Sequence, residues 1–145
     1  MESGTLQIKL LSRDISEQLM NLNITVSTTD HSSFSVDIFS YKDEITHLAT
    51  ELMAFPKDIK HEVLFQYGED NPKIYSMMEL KFYVWDKTGQ GCMRFSACNN
   101  AKEPYYKKAS FPLFADVSSI NDLGKYLAQW IENPGAVGSF VFQRT

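Results

Sequence analysis

The sequence predicts an α+β domain: a mostly antiparallel sheet of five to seven strands with two amphipathic helices packed on one face. Three observations predict it. Apolar and polar residues alternate with period two in run after run, the pattern of strands with one buried face. Two segments break that period and carry apolar residues at helical spacing instead. The strands follow one another through short turn segments while the helices stand apart, which points to α+β rather than to alternating strand and helix.

Leu6, Ile8 and Leu10 alternate with Gln7 and Lys9 in the first strand. Leu22, Ile24 and Val26 alternate with Asn23, Thr25 and Ser27 in the second, and Phe34, Val36 and Ile38 with Ser35 and Asp37 in the third. Thr28 to Ser32 lies between these two runs and reads as a hairpin loop. The period then changes. Tyr41, Ile45, Leu48, Leu52 and Phe55 are spaced 4, 3, 4 and 3, the stripe of an amphipathic helix. Ser40 reads as its N-cap, and Asp43 and Glu44 put negative charge in the first turn, where the helix dipole favours it. Pro56 ends the helix, because the residue before a proline avoids helical geometry.

A polar connector, Lys57 to His61, leads to the apolar run Val63-Leu64-Phe65, and Gly68 to Pro72 is a turn cluster. Met78, Leu80, Phe82 and Val84 alternate with Glu79, Lys81, Tyr83 and Trp85 in the clearest strand. Asp86 to Gly91 is a hairpin loop, with Gly89 and Gly91 supplying positive φ. The return strand puts Met93, Phe95 and Ala97 on one face and Cys92, Arg94, Ser96 and Cys98 on the other. After a polar loop from Asn99 to Pro104, Ala109, Phe111 and Leu113 mark a strand, and Pro112 implies an edge or a bulge there. Ser118 and Ser119 read as caps of a second helix with the stripe Ile120, Leu123, Leu127, Trp130 and Ile131. Asn133-Pro134-Gly135 stops it, and Gly138 to Gln143 reads as a final short strand. With no repeat and no linker, residues 1–145 read as a single domain.

Composition bounds the function. With 43% hydrophobic and 22% charged residues, the chain has ordinary globular usage and enough length to bury a core without staples. The net charge of −4 argues against a surface that coats nucleic acid. No apolar stretch approaches the ~20 residues that span a bilayer, so no membrane is expected. The start Met1-Glu2-Ser3-Gly4 has neither the basic beginning nor the apolar run of a signal peptide. Cys92 and Cys98, six residues apart in one strand, are separated by roughly 20 Å, far beyond the ~7 Å that a disulfide allows. A reducing, cytoplasmic location is therefore expected.

The residues supply little that resembles catalysis. Asp43, His47 and Glu51 share one side of the first helix at i, i+4 and i+8, but they lie off the core stripe and read as a solvated face rather than half a metal site. His31 and His61 have no spacing that makes a ligand set or a dyad. Gly89-Gln90-Gly91 precedes no helix N-terminus and is not a phosphate cradle. No cofactor and no metal are expected. Tyr83, Trp85 and Arg94, with Tyr106 and Lys108, mark an outward sheet face. A solvated face is the first reading, a protein partner the second and nucleic acid a distant third.

Charge is the uneven feature. Residues 1–72 hold 12 acidic and 5 basic residues, net −7, and residues 73–145 hold 6 and 9, net +3. Asp37, Asp43, Glu44, Glu51, Asp58, Glu62, Glu69 and Asp70 carry much of the acidic excess. Gathered on one side, they would steer a basic partner to it.

The order and hydrophobicity of residues 34–132 carry a resemblance. Phe34 to Phe39 lead into a helix that ends in Leu48, Glu51, Leu52, Phe55 and Pro56. Leu80 to Asp86 follow, then Gly89, Gly91, Met93 and Phe95 on the return, and a terminal helix Leu123 to Ile131. In these features the chain resembles small bacterial proteins, some of unknown function and some acting as immunity proteins to polymorphic or contact-dependent toxins. The resemblance implies a cytoplasmic, non-enzymatic protein that binds one cognate toxin domain and blocks its active site. The acidic half fits a basic nuclease. On that reading Asp43, Glu44, Glu51, Asp58, Glu62, Glu69 and Asp70 meet the partner, with Tyr67 or Trp85 as an aromatic anchor, in a protein that is itself a monomer. The alternative is a small-ligand binder or an enzyme whose residues, such as His47, His61, Tyr83 and Arg94, converge only in the fold.

Overall fold

The computed structural model describes residues 1–135 and 137–145. Its elements run β1 (Glu2–Asp14), β2 (Leu19–Thr28), β3 (Ser33–Tyr41), α1 (Lys42–Met53), β4 (Glu62–Gly68), β5 (Met77–Val84), β6 (Gln90–Cys98), β7 (Lys108–Asp116), α2 (Val117–Glu132) and β8 (Gly138–Gln143). The α+β class holds. The sheet is not one but two, each antiparallel and four-stranded, in the orders β3-β2-β1-β8 and β4-β5-β6-β7. Alternation shows which face of a strand is buried, but it does not show where one sheet stops. Here the break falls at α1, which carries the chain from the edge of the first sheet to the edge of the second.

The two sheets face each other across the core. The Phe34 ring of β3 lies 6.3 Å from the Phe95 ring of β6. The Leu113 side chain of β7 fills the space beside Gly4 of β1, where an added Cβ would stand 2.6 Å from it. The strands bury most of the alternate residues that their sequence marks, Leu6 and Ile8; Leu22, Ile24 and Val26; Val36 and Ile38; Met78, Leu80 and Phe82; Met93, Phe95 and Ala97; and Leu113, while Leu10, Phe34, Val84, Ala109 and Phe111 are partly buried. At ~1.5–3 kcal/mol per fully buried large side chain, this interior is the main stabilising term.

The helices do not lie side by side on one sheet face. They pack against each other and bridge the sheets, α1 touching β3 and β4, and α2 touching β6, β7 and β8. Gly124 permits their close approach: a Cβ there would come within 2.8 Å of the Ala49 carbonyl oxygen. Ile45, Leu48 and Leu52 of α1, and Ile120, Leu123, Leu127, Trp130 and Ile131 of α2, are buried as their stripes predict.

Four local expectations are corrected. Tyr41, read as part of the core stripe, is 45% exposed, because it is the last residue of β3 and the N-cap of α1. Ser40 is therefore not the cap. It points inward, and its hydroxyl bonds the Tyr41 carbonyl oxygen at 3.2 Å. Asp116, not Ser118 or Ser119, is the N-cap of α2, since β7 also runs straight into its helix. Gly91 does not serve a turn: only Gly89 has positive φ, at 91°, while Gly91 sits in β6 with the Ile120 side chain against it.

Aspartates fix three of the hairpins. Asp14 accepts from the Ser16 and Glu17 backbone N–H groups at 3.1 and 3.2 Å and from the Ser16 hydroxyl at 2.8 Å. Asp30 accepts from the Thr28 hydroxyl, and Asp86 from the Thr88 N–H and hydroxyl. Such side-chain turns hold a short loop in one conformation. Pro112 lies in β7, an edge strand, as expected.

Candidate partner-binding surface

The nine residues read as partner contacts fall into separate places. Asp43, Glu44 and Glu51 lie on α1. Asp58 and Trp85 lie at the end of the second sheet where Glu62 pairs with Tyr83. Glu69 and Asp70 lie beyond Gly68 at the opposite end, about 20 Å away at ~3.3 Å per strand residue. Glu62 sits on the outer face. Tyr67 is directed to the core, half-buried, and burial raises its hydroxyl pKa. Trp85 is the freer aromatic at 56% exposure, edge-on to Phe114 at 5.5 Å, with the Arg144 guanidinium 5.2 Å from the same Phe114 ring.

Most of the acidic side chains already have partners. The Tyr41 N–H donates to Glu44 Oε1 at 2.9 Å, so this carboxylate holds the start of α1. Glu51 meets His47 Nε2 at 2.5 Å. Asp58 accepts from the Lys60 N–H at 2.8 Å, and Glu62 pairs with Lys81 at 3.2 Å. Asp70 accepts from the Tyr106 hydroxyl at 2.9 Å and from Lys108 Nζ at 3.0 Å. Lys108 and then Tyr106 hold the Asp70 carboxyl below its ordinary range, and the same bond pushes the Tyr106 phenol up to about 12. Asp37 accepts from Asn23 at 2.7 Å. Among the described residues, the acidic side chains of the first half that make no hydrogen bond or ion pair are Glu2, Glu17, Asp43 and Glu69.

Two of those four share a site. Glu17 and Asp43 line a cleft of about 580 Å³ together with Gln18, Tyr41, Lys42 and Thr46. The β1–β2 hairpin forms one wall and the first turn of α1 the other, tied by the Lys42 N–H to the Gln18 carbonyl oxygen at 3.1 Å. Asp14 and Glu44 add charge nearby, and Ile15 stands exposed at the hairpin tip. The bonds from Ser16 and Glu17 lower the Asp14 pKa, so it is ionised near neutral pH. The cleft is thus a tyrosine-bearing hollow with an unpaired carboxylate on each wall and Lys42 in its lining. Glu17, Gln18 and Tyr41 escape a sequence reading, because a hairpin and a strand–helix junction distant in sequence bring them together.

The other candidate groups remain apart. His31 sits at the β2–β3 turn with φ 75°, and His47 sits on the exposed side of α1. His61 Nδ1 accepts from the Lys57 N–H at 3.0 Å, its ring 5.4 Å from Phe55. Among the described residues no three His, Cys, Asp or Glu side chains are grouped to hold a metal ion. Tyr83, Arg94 and Lys108 share the outer face of the second sheet by register, with Lys81 Nζ 5.7 Å over the Tyr83 ring. The Cys92 contact, then burial, pushes the Tyr83 phenol up to about 12. Cys92 and Cys98 are buried free thiols, and burial pushes both up, away from the thiolate that reacts. Asn100, with φ 51°, anchors the far loops: its Nδ2 donates to the Glu69 and Ile74 carbonyl oxygens at 2.7 and 3.1 Å.

No helix of the described residues is long and apolar enough to cross a membrane. Compared with known proteins, the chain matches no family model, no curated protein and no solved structure.

Proposed function

We propose that the chain is a binding module of the immunity type: it binds a cognate toxin domain, a basic nuclease, and neutralises it by covering its active site, with no catalysis of its own. The observation that supports this reading is the cleft between the β1–β2 hairpin and α1. There the unpaired carboxylates of Glu17 and Asp43 flank the exposed ring of Tyr41. Tyrosine is among the residues enriched at interface hot spots. Carboxylates without internal partners act outward, on a cationic cleft that must itself attract phosphate. The surface proposed from the sequence narrows accordingly to Asp43, with Glu44 and Glu51 beside it on α1. The reading places the protein in the bacterial cytoplasm, where Cys92 and Cys98 stay reduced.

The test is growth rescue. The chain is co-expressed with the C-terminal domains of large secreted or surface proteins from its source bacterium. Neutralisation of one domain in an equimolar complex, weakened by Asp43→Lys with Glu17→Lys, is the expected result. Rescue from none of them, or rescue indifferent to those changes, overturns the reading. The volume of the same cleft lies within the ~300–1,000 Å³ of small-molecule sites. This carries the second reading, a small-ligand binder, which a thermal-shift screen separates from the first.

A further inference from the structure

We infer that the free edge of β4 pairs with β4 of a second copy, antiparallel about a two-fold axis, joining two four-stranded sheets into one of eight strands. This inference is independent of the toxin-binding reading and uses a different part of the molecule.

The four sheet edges are not alike. The β3 edge is covered where the Ser76 hydroxyl donates to the Asp37 carbonyl oxygen at 2.5 Å, and Tyr75 stacks on Phe39 at 5.0 Å. The β8 edge is closed where the Gln143 N–H donates to Ser119 Oγ at 2.9 Å and, just beyond, the Thr145 N–H to the Asp116 carboxylate at 3.1 Å. The β7 edge loses a donor at Pro112 and begins at Lys108, two devices that discourage strand addition. Strand β4 has none of these. Its seven residues, Glu62–Gly68, contain no proline and no lysine. Among the described residues no side chain or loop backbone bonds its main chain.

Burial along β4 shows which side chains are open, and register shows which backbone groups are. Val63 is 1% exposed, whereas Leu64 is 53% exposed, and Glu62 and Gln66 are exposed with it. In an antiparallel strand the backbone of alternate residues points to opposite sides. The Trp85 N–H bonds the Gln90 carbonyl oxygen, so odd-numbered residues of β5 bond β6 and even-numbered ones bond Val63, Phe65 and Tyr67, which leaves the N–H and C=O groups of Glu62, Leu64 and Gln66 directed away from β5. Water satisfies them in a single chain, and another strand satisfies them equally well.

The sequence around β4 is complementary to itself when reversed. A two-fold axis at Leu64 sets this exposed apolar side chain against its own copy and Glu62 against Gln66, so no like charges stand directly opposite. The segment before the strand carries Lys57 and Lys60, with Asp58 between them turned to the Lys60 N–H, and the segment after it carries Glu69, which has no partner among the described residues, and Asp70, which Lys108 already holds. Antiparallel pairing brings the lysines of one copy toward Glu69 of the other, twice. A polar strand of another protein lacks this built-in match, and a second copy has it by symmetry.

The test is mass in solution combined with amide exchange. Sedimentation or light scattering is expected to show a species of twice the 16.6 kDa chain mass that grows with concentration. The Leu64 and Gln66 amides are expected to exchange more slowly as it does. Leu64→Pro removes an outward N–H while leaving the β4–β5 ladder whole, and is expected to give a folded monomer by circular dichroism. Leu64→Lys, which places like charges across the axis, checks the result should the proline variant not fold. A wild-type chain that stays at monomer mass at its highest soluble concentration overturns the inference. So does a dimer that survives both substitutions, or one whose β4 amides exchange independently of concentration.

Discussion

The Asn121 side chain of α2 donates to the Leu52 carbonyl oxygen at 2.8 Å and also to that of Phe55 at 2.6 Å, closing the C-terminal end of α1. The last carbonyls of a helix have no partner within it. Here the amide comes from the other helix, so one side chain caps α1 and fixes the angle at which α2 crosses it. Asn121→Ala leaves both part-buried oxygens without that donor. A loss of about 1–3 kcal/mol is expected, read as a lower urea midpoint with an unchanged slope. Unchanged stability would mean that water replaces the amide without cost.

Gly124 is set against Ala49, whose carbonyl oxygen would lie 2.8 Å from an added Cβ, with the Met53 backbone nitrogen at 2.9 Å. Glycine inside a helix ordinarily costs up to about 1 kcal/mol against alanine, so Gly124→Ala would stabilise an isolated helix. In this protein the obstacles include the backbone of α1, which cannot swing aside as a side-chain tip can. The expected outcome is net destabilisation of about 1–3 kcal/mol by chemical denaturation. A gain in stability would show that the helices separate freely.

The Asp70 carboxyl is held low by Lys108 first and Tyr106 second. Its folded-state pKa lies below the ordinary 3.8, so the folded protein binds this proton less tightly than the unfolded chain does. The contribution is complete above that ordinary value and is lost as pH falls through the folded value. Lys108→Ala is expected to return the Asp70 pKa toward 3.8 in a carbon-detected NMR titration, and Tyr106→Phe to move it less. Because the group is exposed, added salt should weaken the Lys108 effect. A titration midpoint that ignores both substitutions would remove the account.

Charge reversal separates carboxylates that have partners from those that do not. Asp43→Lys with Glu17→Lys is expected to slow association with a captured basic partner tenfold or more, with the slowing reduced at high salt. Glu62→Lys, whose native carboxylate is paired with Lys81 on the outer sheet face, is expected to change the rate far less. Stopped-flow traces at two ionic strengths make the comparison. Equal effects from the two sets would return the argument to net charge alone.

The acidic excess itself was legible in the sequence, but its use was not. Asp14 and Asp30 serve turns, Glu44 serves a helix start, and Glu51, Glu62 and Asp70 are engaged in pairs. Each depends on a neighbour placed by the fold: Lys81 reaches Glu62 through the β4–β5 register, and Lys108 reaches Asp70 from the end of β7. The site suffers the same limit. Asp43 could be named from its place on a helix, but Glu17 could not be joined to it, because contacts between a hairpin and a helix N-terminus leave no spacing rule.

What the sequence by itself determined is local. Period two decided the strands and their buried faces, apolar stripes at helical spacing decided α1 and α2, and aspartate and glycine decided the turns, because each rests on neighbours a few residues apart. Tertiary structure alone decided that the strands divide into two sheets, that β8 returns to pair with β1, that the helices pack on each other through Gly124, and that Tyr41 faces outward. These are choices between partners far apart in the chain, and many pairings bury the same stripes. Steric fit at points such as Gly4 against Leu113 and Gly91 against Ile120 selects among them, and that fit exists only once the elements meet.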